Sequence, residues 1–392
     1  MPHRRAHSQE RQINKSSSAL HHSTFLPYLC VIKKRAMSIP EKHNIHFLDS
    51  SLLGLLPLFE KNKFSKTAVL VDENTYKNCY PIFSVLPPHY VIKIKSGEEQ
   101  KTLKTATKIW QKLTDAELDR KSLLINIGGG VIGDMGGFCA ATYKRGITFV
   151  QIPTTLLSQV DASVGGKLGI DFNGLKNHIG VFQEPKAVYI YPGFLRTLDR
   201  REIRSGYAEI VKHCLIQDKP MWKKIKKSIS TNELNDTHFD WTELIAHSVK
   251  IKANVVEQDP KEAGLRKILN FGHTLGHAIE THFLTNPERK LLHGEAIAIG
   301  MMTEAWLSAK KGFISNDESN EVAQYLISIY GLPVIHREEI PAIVPLTLQD
   351  KKNSHGKVKF SLLKKIGDCG YDADITANEM IEALQYYVGL LK

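Results

Sequence analysis

A chain of 392 residues, 42% hydrophobic and 24% charged, is too long for one ordinary core and fits two domains. No apolar stretch approaches the roughly 20 residues that span a bilayer, so the composition argues against a membrane helix. The formal charge of +11 is uneven: residues 1–36 hold seven Lys/Arg against Glu10, and the remaining +5 is spread thinly, which suits an anionic small molecule and, with no recognised motif, argues against nucleic acid.

Residues 1–36 are polar and rich in Ser, His and Arg, with one apolar patch at 25–32, and read as a disordered basic extension. The patch sits late and lacks a small-residue cleavage site, which disfavours a secretory signal. An organelle transit peptide fits better, and translation assigned too far upstream of Met37 fits best. Residues 37–195 alternate β-rich runs, at 67–72, 90–94, 122–127, 148–152 and 187–191, with a helical pattern at 100–118 carried by Leu103, Ala106, Ile109, Trp110 and Leu113. This predicts an α/β domain of Rossmann-like layers. From 196 to 392 the pattern becomes helical, at 203–215, 241–256, 273–283 and 295–311, and predicts a mainly α-helical second domain with few strands. Cys30, Cys79, Cys139, Cys214 and Cys369 are scattered and never form C-x-x-C, which points to a reducing, cytoplasmic setting without cysteine-ligated zinc.

Gly128, Gly130 and Gly133 satisfy G-x-G-x-x-G between a predicted strand and helix, a turn that lets amides approach a pyrophosphate. The acidic residue expected about 20 positions later is missing, since 151–155 holds no carboxylate. Asp72, ending the 67–72 run, can take its place on a ribose or can simply cap a helix.

His273 and His277 are four apart on one helix face, His293 begins a second helical pattern, and Glu209 lies in a third. Two or three imidazoles and one carboxylate make a plausible open catalytic metal set; buried structural histidines are the alternative. Arg145, Lys167, Lys176, Lys212, Lys252 and Arg266 fall in or beside runs of small residues and could desolvate a substrate with several negative charges.

Seven segments in order then resemble the 3-dehydroquinate synthase family over about residues 67–370: GEEQK at 97–101, GGGVIGD at 128–134, PTTLLSQVDASVGGK at 153–167, LKNHIG at 175–180, YAEIVK at 207–212, NFGHTLGHAIE at 270–280 and HGEA at 293–296. The resemblance implies an NAD-binding α/β domain, a helical domain with zinc or cobalt, and a homodimer. It implies metal ligation by Glu209, His273 and His293. Cofactor contacts are implied at Asp72, Asn74, Gly97, Glu98, Glu99, Gln100, Lys101, Gly130, Val131, Ile132, Gly133, Asp134, Thr154, Thr155, Lys167, Lys176, Phe194, Leu195, Arg196 and Thr197. Substrate contacts are implied at Asp161, Lys167, Asn177, Lys212, Lys252, Arg266, Asn270, His277 and Lys352, with Arg145 supplied by the neighbouring subunit. The implied reaction converts 3-deoxy-D-arabino-heptulosonate 7-phosphate to 3-dehydroquinate and phosphate. Leu168 and His178 depart from the family's usual Thr and Leu. Another sugar phosphate cyclase and a glycerol dehydrogenase-type enzyme are the rival readings.

Overall fold

The computed structural model describes residues 44–83, 86–173, 175–284, 286, 288–349 and 358–391; the basic extension at 1–36 and Lys352 lie outside them. The described residues belong to one compact unit. Its first layer is a six-stranded parallel sheet: β1 (Ile45–Phe47), β2 (Thr67–Asp72), β3 (Tyr90–Ile94), β4 (Leu123–Gly128), β5 (Thr148–Pro153) and β8 (Val188–Ile190), in the order β1-β8-β5-β4-β2-β3. Strand β4 is buried at every position and β2 at all but its last, the continuous apolar run expected of a parallel strand covered on both faces. Between β4 and β5 lies α2 (Gly130–Thr142), and α1 (Leu103–Asp115) precedes β4, burying Thr105, Ala106, Ile109 and Leu113.

Strand order reverses between β2, which continues outward to β3, and β4, which continues to β5. Their carboxyl ends therefore flank a topological switch point, where open α/β sheets take their ligands. Asp72 ends β2 and the glycine turn ends β4, so both fall at this crevice. A two-stranded hairpin, β6 (Lys167–Phe172) and β7 (Leu175–Phe182), is added between β5 and β8.

The second part is helical, as expected, and is led by α3 (Arg200–Gln217), α4 (Thr242–Gln258), α5 (His273–Phe283) and α6 (His293–Lys310). It also holds an antiparallel pair that the helical spacing does not predict, β9 (Lys359–Lys365) and β10 (Asp368–Asp374). The largest core joins Leu156, Val160, Val164, Val188 and Leu195 to the helical residues, so apolar packing runs straight through position 195. No helix among the described residues is long and apolar enough to cross a membrane.

Glycines set how closely the helices approach. A Cβ on Gly300 would lie 1.9 Å from the Gly272 carbonyl oxygen, and one on Gly294 would lie 2.0 Å from that of Ser205. The start of α5 is thus drawn against the middle of α6, and the start of α6 against α3. Gly300→Ala is expected to cost about 1–3 kcal/mol by overpacking. Urea denaturation measures it, and an unchanged midpoint would show that the contact relaxes without cost.

Candidate active site

Three helices converge on one point. Glu209 projects from α3 and is fully buried, while His273 and His293 are the first residues of α5 and α6. The Oε1 atom of Glu209 is 3.4 Å from Nε2 of His273 and 3.4 Å from Nε2 of His293. Ligands at about 2.0–2.1 Å from a tetrahedral ion are separated by about 3.3 Å, so each of these two separations has the length of one edge of such a shell. Each imidazole is oriented through its other nitrogen: Nδ1 of His273 is 3.0 Å from the Phe271 carbonyl oxygen, and Nδ1 of His293 is 3.3 Å from Glu280 Oε2. A donor at Nδ1 leaves the Nε2 lone pair for an ion. Glu209 is a fully buried carboxylate faced by Lys212, His273 and His293, and a buried carboxylate requires cationic partners of this kind.

Lys212, buried and paired with Glu209, is one such cation. Burial alone would raise the Glu209 carboxyl, but Lys212 and then His273 hold it well below the ordinary range. Burial pushes His273 down to about 3, helped by Lys212. Burial also lowers His293, but its bonds to Glu209 and Glu280 prevail and raise it to about 9. The His277 ring stands 5.1 Å from that of His273 and 5.8 Å from that of His293, centroid to centroid, close enough that ligand atoms of all three histidines gather in one group.

Beside this point lies the cationic pocket. Asp161, on the π-helical turn Ser158–Ala162, meets Lys252 Nζ at 2.7 Å, His213 Nε2 at 3.4 Å and Lys212 Nζ at 3.8 Å. Burial would raise the Asp161 carboxyl, yet Lys252 and Lys212 hold it far below the ordinary range. Gly206 lets this turn pack on α3, since a Cβ there would meet Leu157 N at 2.4 Å. Arg266 is buried and donates to the carbonyl oxygens of Pro260, at 2.6 Å, and Gly165, at 2.9 Å. Glu262, which no sequence motif singles out, bridges Lys167 and Asn270, the latter at 2.9 Å. Its backbone is left-handed, φ 62°, an uncommon conformation for a non-glycine residue.

At the sheet crevice, Lys101 is buried and pairs with Asp134 at 2.6 Å and with Asn177. Lys176 meets Glu280 at 2.5 Å and Glu98 at 3.7 Å. Gly128, Gly129, Gly130 and Gly133 line a small cleft with Gln151, Pro153, Ser158, Ala162 and Ser163. Thr154 anchors its floor by donating its backbone N–H to the Gly128 carbonyl at 3.0 Å; Thr155 bonds Ser158 instead. Asp72 spends Oδ1 on Thr75 N at 2.7 Å, so it caps the short helix Glu73–Asn78, on which Asn74 is exposed. Gly97 opens the 3-10 turn Glu98–Gln100. Phe194 and Leu195 turn their side chains into the cores, whereas Arg196 and Thr197 are exposed. Arg145 follows α2 at the end away from the glycine turn, roughly 20 Å along a 13-residue helix. It is not brought to the site of its own chain. Of the two departures, Leu168 is a core residue against Gly137 and His178 is exposed.

A parallel sheet with a glycine turn at its switch point, backed by helices that present a carboxylate and imidazoles, defines a nucleotide- and metal-type α/β plus α architecture. The chain matches the family models described as 3-dehydroquinate synthase N-terminal, over residues 91–205, and 3-dehydroquinate synthase C-terminal, over residues 206–353. The 3-dehydroquinate synthase of Parabacteroides distasonis is 40% identical over 83% of this chain and 92% of its own length. That of Leptospira interrogans is 40% identical over 88% and 95%. The chain belongs to the 3-dehydroquinate synthase family.

Among solved structures, 2-epi-5-epi-valiolone synthase from Streptomyces hygroscopicus, with NAD+ and Zn2+ bound, shares the fold at TM-score 0.77 and 23% identity, covering 96% of this chain and 99% of that one. A 2-deoxy-scyllo-inosose synthase complexed with carbaglucose-6-phosphate, NAD+ and Co2+ matches at TM-score 0.74 and 22% identity over 87% and 96%. Glycerol dehydrogenase from Schizosaccharomyces pombe lies further off, at TM-score 0.61 and 15% identity over 88% and 89%.

Proposed function

We infer that the chain is a phosphate-eliminating lyase that converts 3-deoxy-D-arabino-heptulosonate 7-phosphate to 3-dehydroquinate, with NAD and one divalent ion, zinc or cobalt. The observation that carries this reading is Glu209 with the Nε2 atoms of His273 and His293 each 3.4 Å from its Oε1, set against buried Lys212, Lys252 and Arg266, in a chain 40% identical to synthases of this name. A polyol has no charge for those cations to meet, which disfavours the dehydrogenase reading.

When bound, NAD takes up and returns a hydride while the ion supplies Lewis acidity to a substrate oxygen. The chain's own residues hold the rest in place. Lys252, Arg266 and Lys167 receive the phosphate and carboxylate, and Asp161 keeps Lys212 and Lys252 aimed into the pocket. Asn177, Asn270 and His277 complete the substrate set, and Lys101 with Asp134 braces the nucleotide turn. The cofactor contacts expected of Phe194 and Leu195 fall to backbone atoms, because their side chains are core. The active species is a cytoplasmic homodimer in which Arg145 serves the neighbouring site. Four described cysteines are buried free thiols, in keeping with a reducing compartment.

Because Glu209 and Glu280 raise His293 to about 9 against its burial, an ion must displace its proton at neutral pH. Apparent metal affinity is expected to rise roughly tenfold per pH unit up to about pH 9 and then level, as read by chelator competition. A flat profile would show that His293 is not displaced. The reading as a whole is tested by supplying the heptulosonate phosphate with NAD and metal and assaying phosphate and 3-dehydroquinate.

A further inference from the structure

Glu280 is buried, stands outside the residues assigned above to metal, cofactor or substrate, and belongs to two sites at once. Its Oε2 faces Nδ1 of His293 at 3.3 Å, on the metal side, while its Oε1 accepts from Lys176 Nζ at 2.5 Å, on the nucleotide side. Lys176 comes from β7 of the hairpin, 104 positions away, and carries a second carboxylate, Glu98, at 3.7 Å. A buried carboxylate must be neutralised, and here the work is shared between an imidazole of the ligand set and a lysine of the cofactor set.

We propose that Glu280 is a positioning residue that couples nucleotide binding to metal binding, so that each tightens the other. This rests on the reading that His293 ligates the ion and Lys176 meets the dinucleotide. A pyrophosphate draws the Lys176 ammonium toward itself. Glu280 is then left to the Nδ1–H of His293, which makes Nε2 a stronger donor to the ion. Conversely, an ion on Nε2 strengthens Nδ1–H as a donor, holds Glu280, and releases Lys176 to the anion. The two effects are one coupling and must be equal in both directions.

The test measures the Co2+ dissociation constant of the full-length protein by chelator competition, with and without saturating NAD+. It compares wild type, Glu280→Gln and Lys176→Gln, with thermal melts as a check of folding. Wild type is expected to bind Co2+ at least about fivefold tighter with NAD+. Both variants should shrink that ratio to below about twofold, and Glu280→Gln should also weaken Co2+ about tenfold without NAD+. Should Glu280→Gln fail to fold, Lys176→Gln, altered at a partly exposed lysine, decides the ratio alone. A wild-type ratio near one, or variants that keep the wild-type ratio, overturns the coupling while leaving the metal reading intact. Wild type that takes up no Co2+ overturns the metal reading, and the coupling with it.

Discussion

His273→Ala is expected to lose stoichiometric metal and to lower phosphate release by at least about a thousandfold, equivalent to about 4 kcal/mol of transition-state stabilisation. The variant removes one of two imidazoles whose Nε2 atoms stand 3.4 Å from Glu209 Oε1, leaving a fully buried carboxylate that faces Lys212. His277→Ala is the informative companion. Its ring lies beside those of both candidate ligands, His273 and His293, yet the family resemblance gives it to the substrate, so it should keep its metal and lose turnover. Metal content by elemental analysis, alongside phosphate release, separates the two. A His277→Ala protein that arrives without metal would enlarge the ligand set to three imidazoles, and a metal-replete, active His273→Ala protein would remove His273 from it.

Lys252→Met is expected to lower kcat/KM for the heptulosonate phosphate by about a hundred- to a thousandfold while metal and NAD still bind. The ammonium is buried and doubly held by Asp161, through the carboxylate at 2.7 Å and the backbone carbonyl at 2.6 Å. Burial lowers this lysine below its ordinary range even though Asp161 opposes the shift, so it is held at a cost that an arriving anion would offset. Removing one preorganised donor that meets charge in an active site costs about a hundred- to a thousandfold, about 2.7–4 kcal/mol, which sets the size of the loss. Steady-state phosphate release measures it. A change within about threefold would place Lys252 outside the substrate set.

Much of the fold is legible in the amino-acid sequence, and the parts that are not share physical causes. Strands β2 and β3 begin and end where the sequence pattern puts them, β5 differs by one residue at one end, and β4 and β8 by one residue at each end; the buried apolar runs of β2, β4, β5 and β8 leave few alternatives. The helices carrying the candidate ligands are equally plain, and α5 coincides with its expected span. The β6–β7 hairpin escapes the pattern because its lysines and glycines resemble a loop; its register is fixed by close backbone approach, with a Cβ on Gly180 only 2.4 Å from the Leu168 carbonyl oxygen. The β9–β10 pair is hidden inside a region dominated by helical spacing. The i,i+4 spacing marks His273 and His277, and the family resemblance picks Glu209, His273 and His293 as the metal set, but Glu280 and Glu262 owe their importance to partners about a hundred positions away, Lys176 and Lys167. Glu304 is similar: its carboxylate accepts from the N–H groups of Gly272, Thr274 and Leu275 at 2.6–3.2 Å and fixes the start of the His273 helix from within the next one. The Glu295 of HGEA proves local, closing a capping box at Leu292 and pairing with Arg201 at 2.7 Å.

The chain is expected to use NAD as a catalyst, returning the hydride it takes, while a divalent ion is bound. The measurement that tests it most directly follows phosphate release and NADH absorbance together, with the heptulosonate phosphate, NAD at a catalytic level, and metal either present or chelated. Phosphate release that stops on chelation and proceeds without accumulating NADH is the predicted result. No phosphate from folded protein replete with NAD and metal, or NADH rising in step with turnover, would contradict it.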